Sequence, residues 1–310
     1  MNILLTGASG LLGRSLMLDL EPLATGRLIG LAFSRAKNPL IRLDLTDEQA
    51  VRAAFAEWKP DLVVHAAAER RPDMVDGDPE AAERLNVRAT ELLAGLAAEK
   101  GCRIIYISTD YVFDGTKGPY KVDDEPNPLN AYGRMKLAGE LAVRAAYGDS
   151  PGKADDKVSG KKAGAQLWAI VRIPILYGRV ESLSESPVTE LAAKLIQGKS
   201  FKAEDWASRY PAHADDVSQA VVLIAERLIS GEGGIYHFAG AECLTKFGMT
   251  QVMAKELKLD AGLALSDPTP PSGAPRPKDC KLDGSRLAAL GYTPQIGFAQ
   301  GIREGKLLGL

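Results

Sequence analysis

Residues 2–13 read NILLTGASGLLG. The first five, NILLT, have the pattern of a short strand buried on both faces. Glycines at 7, 10 and 13 follow at once, and an apolar-periodic segment opens near Leu11. Each glycine has its own use in such a strand–turn–helix. Gly7 permits the positive φ of a tight turn. Gly10 lets backbone N–H groups approach a pyrophosphate, and Gly13 lets the helix pack close to the strand. The amino end of that helix then faces the phosphates. Thr6, Gly7, Gly10, Leu11, Leu12 and Gly13 are therefore the expected phosphate-side residues of a dinucleotide site. A glycine triplet elsewhere in a chain is weak evidence, but directly after an opening strand it is strong.

Working outward, short apolar runs alternate with longer amphipathic stretches. Residues 27–33 (RLIGLAF), 40–43, 61–65 (DLVVH), 103–107 (RIIYI) and 167–173 (LWAIVRI) read as strands. Residues 47–58 and 79–99 have helical spacing, with Thr46 as the expected cap of the first. Asn130 can cap a further helix. This alternation implies parallel β-α-β units, an α/β fold with a Rossmann-type doubly wound parallel sheet. Right-handed crossovers collect the loops after the strands along one edge, where ligands bind. After Tyr177 the rhythm changes to helices at 188–197, 217–229, 245–257 and 283–290, a strand at 234–239 and a proline-rich connection at 268–277. The expected division is a dinucleotide-binding domain over 1–177 and a smaller C-terminal substrate or partner lobe over 178–310, packed on the sheet edge. Residues 148–166, polar and rich in Gly, Lys and Asp, read as a mobile surface insert; a lysine-rich docking segment is the alternative.

The end of the second strand bears on which dinucleotide binds. A carboxylate there would hold the 2′-hydroxyl of NAD. Here Phe33-Ser34-Arg35 carries none. Arg35 can pair with a 2′-phosphate and Ser34 can add a hydrogen bond, which favours NADP(H), although Arg35 also reads as an ordinary solvated arginine. Asp44 and Leu45 follow the short third strand, where Asp44 reaches an adenine amino group or caps a helix. Ala66 and Ala67 leave room for the cofactor against the sheet edge.

Ser108 and Thr109 end the fifth strand. Tyr132 and Lys136 follow one helical turn apart. In a chain with 9 tyrosines such a pair alone is weak evidence. Strand, turn and spacing together give it meaning: an ammonium beside a phenol lowers the phenol's pKa from about 10 towards the useful range. Tyr132 then serves as acid, Thr109 holds a ketone oxygen, and Lys136 also meets the nicotinamide ribose.

The segments TGASGLLG (6–13), STDYVFDG (108–115), YGRMK (132–136), RIPILYG (172–178) and HADDV (213–217) resemble the extended short-chain dehydrogenase/reductases, and within them the dTDP-4-dehydrorhamnose reductase group. That resemblance implies Thr109, Tyr132 and Lys136 as a catalytic set with Ser108 adjacent, an NADP(H) cofactor and a nucleotide-sugar substrate. HAAAERRPD (65–73), RIPILYGRVESLSES (172–186), RYPAHADDV (209–217) and RPKDCKLD (276–283) are more similar still to the regulatory beta subunits of methionine adenosyltransferase, a non-catalytic branch of that group. This implies the methionine adenosyltransferase catalytic subunit as partner and a role in S-adenosylmethionine synthesis. Pro174-Ile175-Leu176 replaces a more polar, tryptophan-containing segment of the rhamnose-pathway reductases. Pro174 is counted among the cofactor-side residues. The insert at 148–166 matches neither pattern.

Other polar residues stay open. Arg70 and Arg71 meet an anionic ligand or solvent. Lys202, Arg209 and Arg276 meet a substrate diphosphate or an acidic partner. His213 reads as structural, His65 as packed or touching the cofactor, and Trp58 as core. The three histidines suggest no metal site. A net charge of −2 gives no basic field for nucleic acid or membrane surfaces. The amino end has no basic region followed by a long apolar core, and no apolar run approaches about 20 residues, so neither a leader nor a membrane span is expected. Cys102, Cys243 and Cys280 are too scattered for a disulfide framework, which fits a reducing, cytoplasmic setting.

Overall fold

The computed structural model describes residues 1–149 and 166–304. Most of the 148–166 insert therefore lies outside the described residues.

In chain order the elements begin with β1 (Ile3–Thr6), α1 (Leu11–Asp19), β2 (Leu28–Ala32), β3 (Ile41–Arg42), α2 (Glu48–Trp58) and β4 (Leu62–His65). There follow α3 (Pro72–Gly77), α4 (Pro79–Glu83), a π turn (Arg84–Arg88), α5 (Ala89–Glu99), β5 (Arg103–Thr109), α6 (Ala131–Ala146) and β6 (Trp168–Ile173). The remainder comprises β7 (Leu176–Tyr177), α7 (Thr189–Ile196), β8 (Phe201–Glu204), β9 (Ala212–His213), α8 (Ala214–Ile229), β10 (Gly234–His237), α9 (Lys246–Leu257), β11 (Ala264–Asp267), α10 (Ser285–Ala289) and α11 (Phe298–Glu304).

Seven strands form the main sheet in the order β10-β6-β5-β4-β1-β2-β3, the crossover pattern of a doubly wound fold. The β3-β2-β1-β4-β5 pairings are parallel. Register aligns Thr6 with both Leu31 and His65, and His65 with Tyr106. β5 runs on past that line through Ile107, Ser108 and Thr109, two residues longer than the apolar run suggests. Its hydroxyl residues thus project from the carboxyl edge.

The described chain divides into two compact units. One comprises Met1–Thr109, Ala131–Arg172 and Val221–Tyr236. Leu4, Ile29, Val63, Ile104 and Ile170, from five neighbouring strands, form one layer of its core with Val51, Phe55 and Trp58 of α2 and Leu93 and Ala97 of α5. Trp58 is core, as its position predicts. The other unit comprises Asp110–Asn130, Ile173–Ala220 and His237–Leu310, where α7, α9 and α11 pack through Leu191, Leu195, Met249, Met253, Phe298 and Ile302.

Three local expectations change. The helix expected over 79–99 is interrupted at Arg84–Arg88, where the Thr90 hydroxyl donates to the Asn86 carbonyl and the Asn86 side chain is drawn to residue 69. Asp47, not Thr46, caps α2, accepting from the Ala50 amide at 3.0 Å, because Thr46 is already bonded to Asp44. α8 opens at Ala214, three residues early, with Asp215 and Asp216 in its favourable first turn. Asn130 directly precedes α6, and its side-chain amide donates to the Pro275 carbonyl at 2.8 Å.

Asp47→Ala is expected to destabilise the chain by about 1 kcal/mol, and Thr46→Ala by a few tenths. Chemical denaturation of both variants checks the order.

Candidate functional site

Gly7 adopts φ +72°, and a Cβ there would meet the Ala67 amide nitrogen at 2.8 Å and the Ala66 carbonyl carbon at 2.9 Å. A Cβ at Gly13 would run into the Gly7 carbonyl oxygen and approach the Ala8 Cα at 2.8 Å. The amino end of α1 is thus seated directly on the turn after β1. Gly10 occupies the cap position, no side chain caps this end, and the first turn holds no acidic residue. Its first amides have no intrahelical acceptor. A close, uncapped helix end free of acidic residues fits a pyrophosphate. Leu12 is buried and Leu11 half-buried behind it. The backbone of Ala66 and Ala67 is the nearest wall to Gly7.

Ser34 and Arg35 stand exposed in the turn after β2. The Asp44 carboxylate accepts from both the Thr46 amide (2.9 Å) and hydroxyl (2.7 Å), so it orders its own turn and does not cap α2. Leu45 beside it is buried. The Arg42 guanidinium lies 5.3 Å from the centre of the Phe33 ring, a neighbour the linear sequence does not reveal.

His65 is buried in a relay of directed bonds. The Thr90 hydroxyl spends its proton on the Asn86 carbonyl (2.9 Å), so it accepts from His65 Nε2 (3.0 Å). His65 Nδ1 is then an acceptor, taking the Thr6 hydroxyl proton at 2.7 Å. Thr6 in turn accepts from the Ala67 amide at 3.2 Å. One tautomer satisfies every member, and the ring must be neutral. Burial and the nearby Lys136 push its pKa down to about 3. His65 is packed, and it fixes the two turns that flank Gly7.

α6 packs on β5. Ser108 donates its hydroxyl proton to buried Glu140, which also receives Arg172 Nη2 at 2.7 Å and Nε at 3.0 Å. Both charged side chains are about fully buried. Ser108 therefore holds the ion pair, while Thr109, also buried, ends the strand. Gly139 leaves space for the Tyr106 ring, and the Lys136 Nζ sits 3.9 Å from that ring's centre. Tyr132, half-buried, lies one turn before Lys136 on the same face. Burial pushes the Lys136 pKa down to about 7, against the opposing pull of Glu140. The sequence presents Lys136 simply as an ammonium; the fold makes its charge marginal at neutral pH. Pro174 follows β6 and belongs to the second unit.

In that second unit Lys202 does not join Arg209 and Arg276. It is exposed, 3.8 Å from Asp267. Arg209 is buried, with Nη1 donating to the Ser208 (2.9 Å) and Pro277 (3.3 Å) carbonyls and Nη2 3.8 Å from Glu204. Arg209 and Arg276 both act on Tyr111, whose phenol burial pushes up while the two arginines oppose the shift. Lys246, which the sequence reading omitted, shares their neighbourhood: burial and then these two arginines hold its pKa down. His213 accepts from the Asp215 amide and packs edge-on to Tyr177 at 5.1 Å, a structural role as expected. Arg71 is paired bidentately with Glu69 at 2.9 and 2.8 Å. Among the described residues no His/Cys/Asp/Glu group is arranged to hold a metal ion, and no helix is long and apolar enough to cross a membrane.

The family model described as RmlD substrate binding domain matches residues 1–305. The chain belongs to this family. It is 41% identical over 305 residues, 97% of this chain and 86% of the relative, to methionine adenosyltransferase 2 subunit beta of Xenopus tropicalis. It is 28% identical to dTDP-4-dehydrorhamnose reductase of Aggregatibacter actinomycetemcomitans over 94% of each chain. The solved dTDP-4-dehydrorhamnose reductase of Bacillus anthracis, in complex with NADP, superposes with a TM-score of 0.79 over 98% of this chain and 96% of its own, at 22% identity. Glu140, Arg172, Arg42 and Lys246 of this RmlD-family chain carried no local signal in the sequence.

The folded chain releases the Lys136 proton near 7, and the unfolded chain at about 10.4. Between those values the unfolded state holds a proton that the folded state has lost, so this group makes stability rise with pH across that window. Lys136→Met is expected to flatten that rise, as denaturant midpoints followed from neutral pH to about pH 10 would show. Arg172→Met should cost about 3–5 kcal/mol by leaving Glu140 buried and unpaired, measured in the same way.

Proposed function

We propose that this chain is an NADP(H)-binding regulatory subunit of methionine adenosyltransferase that acts in cytoplasmic S-adenosylmethionine synthesis. The observation that carries this reading is 41% identity, sustained over 97% of the chain, to a protein named as the beta subunit of that enzyme. The cofactor part rests on the α1 seat. Thr6, Gly7, Gly10, Leu11, Leu12 and Gly13 hold the pyrophosphate. Ser34 and Arg35 take the 2′-phosphate. Asp44, Leu45, Ala66 and Ala67 line the adenosine side, and Tyr132 and Lys136 the nicotinamide side. Residues 1–177 carry most of this site, and 178–310 serve a substrate or partner.

When bound, the nicotinamide supplies hydride chemistry. Tyr132 would hold the proton that a carbonyl oxygen takes up, with Thr109 donating a hydrogen bond to that oxygen. Lys136 would stabilise the phenolate, and Ser108 would position α6 through Glu140. This set favours a second reading, an NADPH-dependent reductase of a 4-keto nucleotide sugar such as dTDP-4-dehydrorhamnose. Under either reading Arg209, Arg276 and Lys246 meet an anion: the sugar nucleotide's diphosphate or acidic groups of the catalytic subunit.

Mixing the purified chain with the catalytic subunit of its own cell is expected to give a stable complex in size-exclusion chromatography and a changed methionine concentration for half-maximal rate. Tyr132→Phe should leave that complex intact. Absence of a complex, together with NADPH oxidation by the 4-keto sugar that falls about 100-fold or more in Tyr132→Phe, would transfer the assignment to the second reading.

A further inference from the structure

Phe33 is 51% exposed, unusual for a ring at the end of a buried strand. β3 pairs Arg42 with Ala32, the residue just before it. The Arg42 guanidinium consequently lies over the Phe33 ring. Among the described residues Arg42 has no carboxylate partner. The nearest candidate in sequence, Asp44, gives its accepting oxygen to Thr46. An aromatic face orients a guanidinium without neutralising it, so charge and in-plane N–H donors both stay available. Ser34 and Arg35 occupy the adjoining turn. The Arg14 Nη1 donates to the Ser9 carbonyl at 3.0 Å.

We infer that Arg42, held on Phe33, is a specificity-determining residue that selects a dinucleotide bearing a 2′-phosphate over one bearing a 2′-hydroxyl. The inference rests on the dinucleotide reading proposed above. Planar N–H pairs match phosphate oxygens, and a dianion pays back an unneutralised arginine where a neutral hydroxyl does not. Phe33 acts through Arg42 and is a positioning residue. Arg35 stands on an exposed turn, whereas Arg42 projects from a hydrogen-bonded strand.

The test is isothermal calorimetry of NADPH and NADH on the full chain, on Arg42→Gln and on Phe33→Leu. Wild type should prefer NADPH. Arg42→Gln should weaken NADPH by about 10-fold or more and leave NADH within about two-fold. Phe33→Leu should give a smaller loss, again for NADPH alone. Added salt should weaken NADPH binding more in wild type than in Arg42→Gln. An unchanged NADPH/NADH ratio in Arg42→Gln overturns the role of Arg42 while leaving the site intact, as does an equal loss for both. If wild type binds neither dinucleotide, the dinucleotide reading itself fails, and the inference falls with it.

Discussion

The architecture of the first unit turns on how closely α1 approaches the end of β1. That approach exists because residue 13 has no Cβ to strike the Gly7 carbonyl and residue 7 none to strike the 66–67 backbone. With a side chain at either place the helix would have to move off, and its amides would lose their common focus. Around this contact, parallel strands of four or five residues place Thr6 beside His65, and a buried hydrogen-bond relay through a neutral imidazole ties both to Thr90 of α5. The imidazole is a packing device whose chemistry lies in having one donor and one acceptor at fixed positions.

A second constraint lies in the Glu140–Arg172 pair. Two opposite charges out of water are tolerated because Ser108 and the bidentate geometry satisfy them. The pair ties α6 to β5 and β6, so the placement of Tyr132 and Lys136 depends on Glu140, one turn beyond Lys136 and two beyond Tyr132. The same burial that locks this arrangement lowers the Lys136 pKa to about 7. The Lys136 charge is therefore set by its buried surroundings and by Glu140, not by residue type alone. The chain is similar both to proteins named methionine adenosyltransferase 2 subunit beta and to one named dTDP-4-dehydrorhamnose reductase, and a shared fold does not by itself assign a role.

The legible parts of the sequence were those governed by short-range rules. Glycine spacing, apolar runs and helical periodicity located each major-sheet strand to within two or three residues. The misread parts had local competitors. Thr46 looks like a cap until Asp44, two residues away, binds it. Residues 79–99 have unbroken helical periodicity, and the π turn within them answers to Glu69, a residue outside the helix. Lys202, Arg209 and Arg276 look alike in the sequence, yet one is exposed beside Asp267, one is buried against backbone carbonyls, and the third acts on Tyr111 and on Lys246, a lysine that sequence alone did not connect to it.

What the sequence by itself determined was the strand–glycine–helix opening, the doubly wound alternation and the Tyr132–Lys136 spacing, since each depends on residues within a few positions of one another. Tertiary structure alone decided which charges are buried, which hydroxyls are already spent and which arginine lies on which ring. Desolvation and hydrogen-bond partnership depend on neighbours that are dozens of residues away in the chain and touch only once the sheet has assembled.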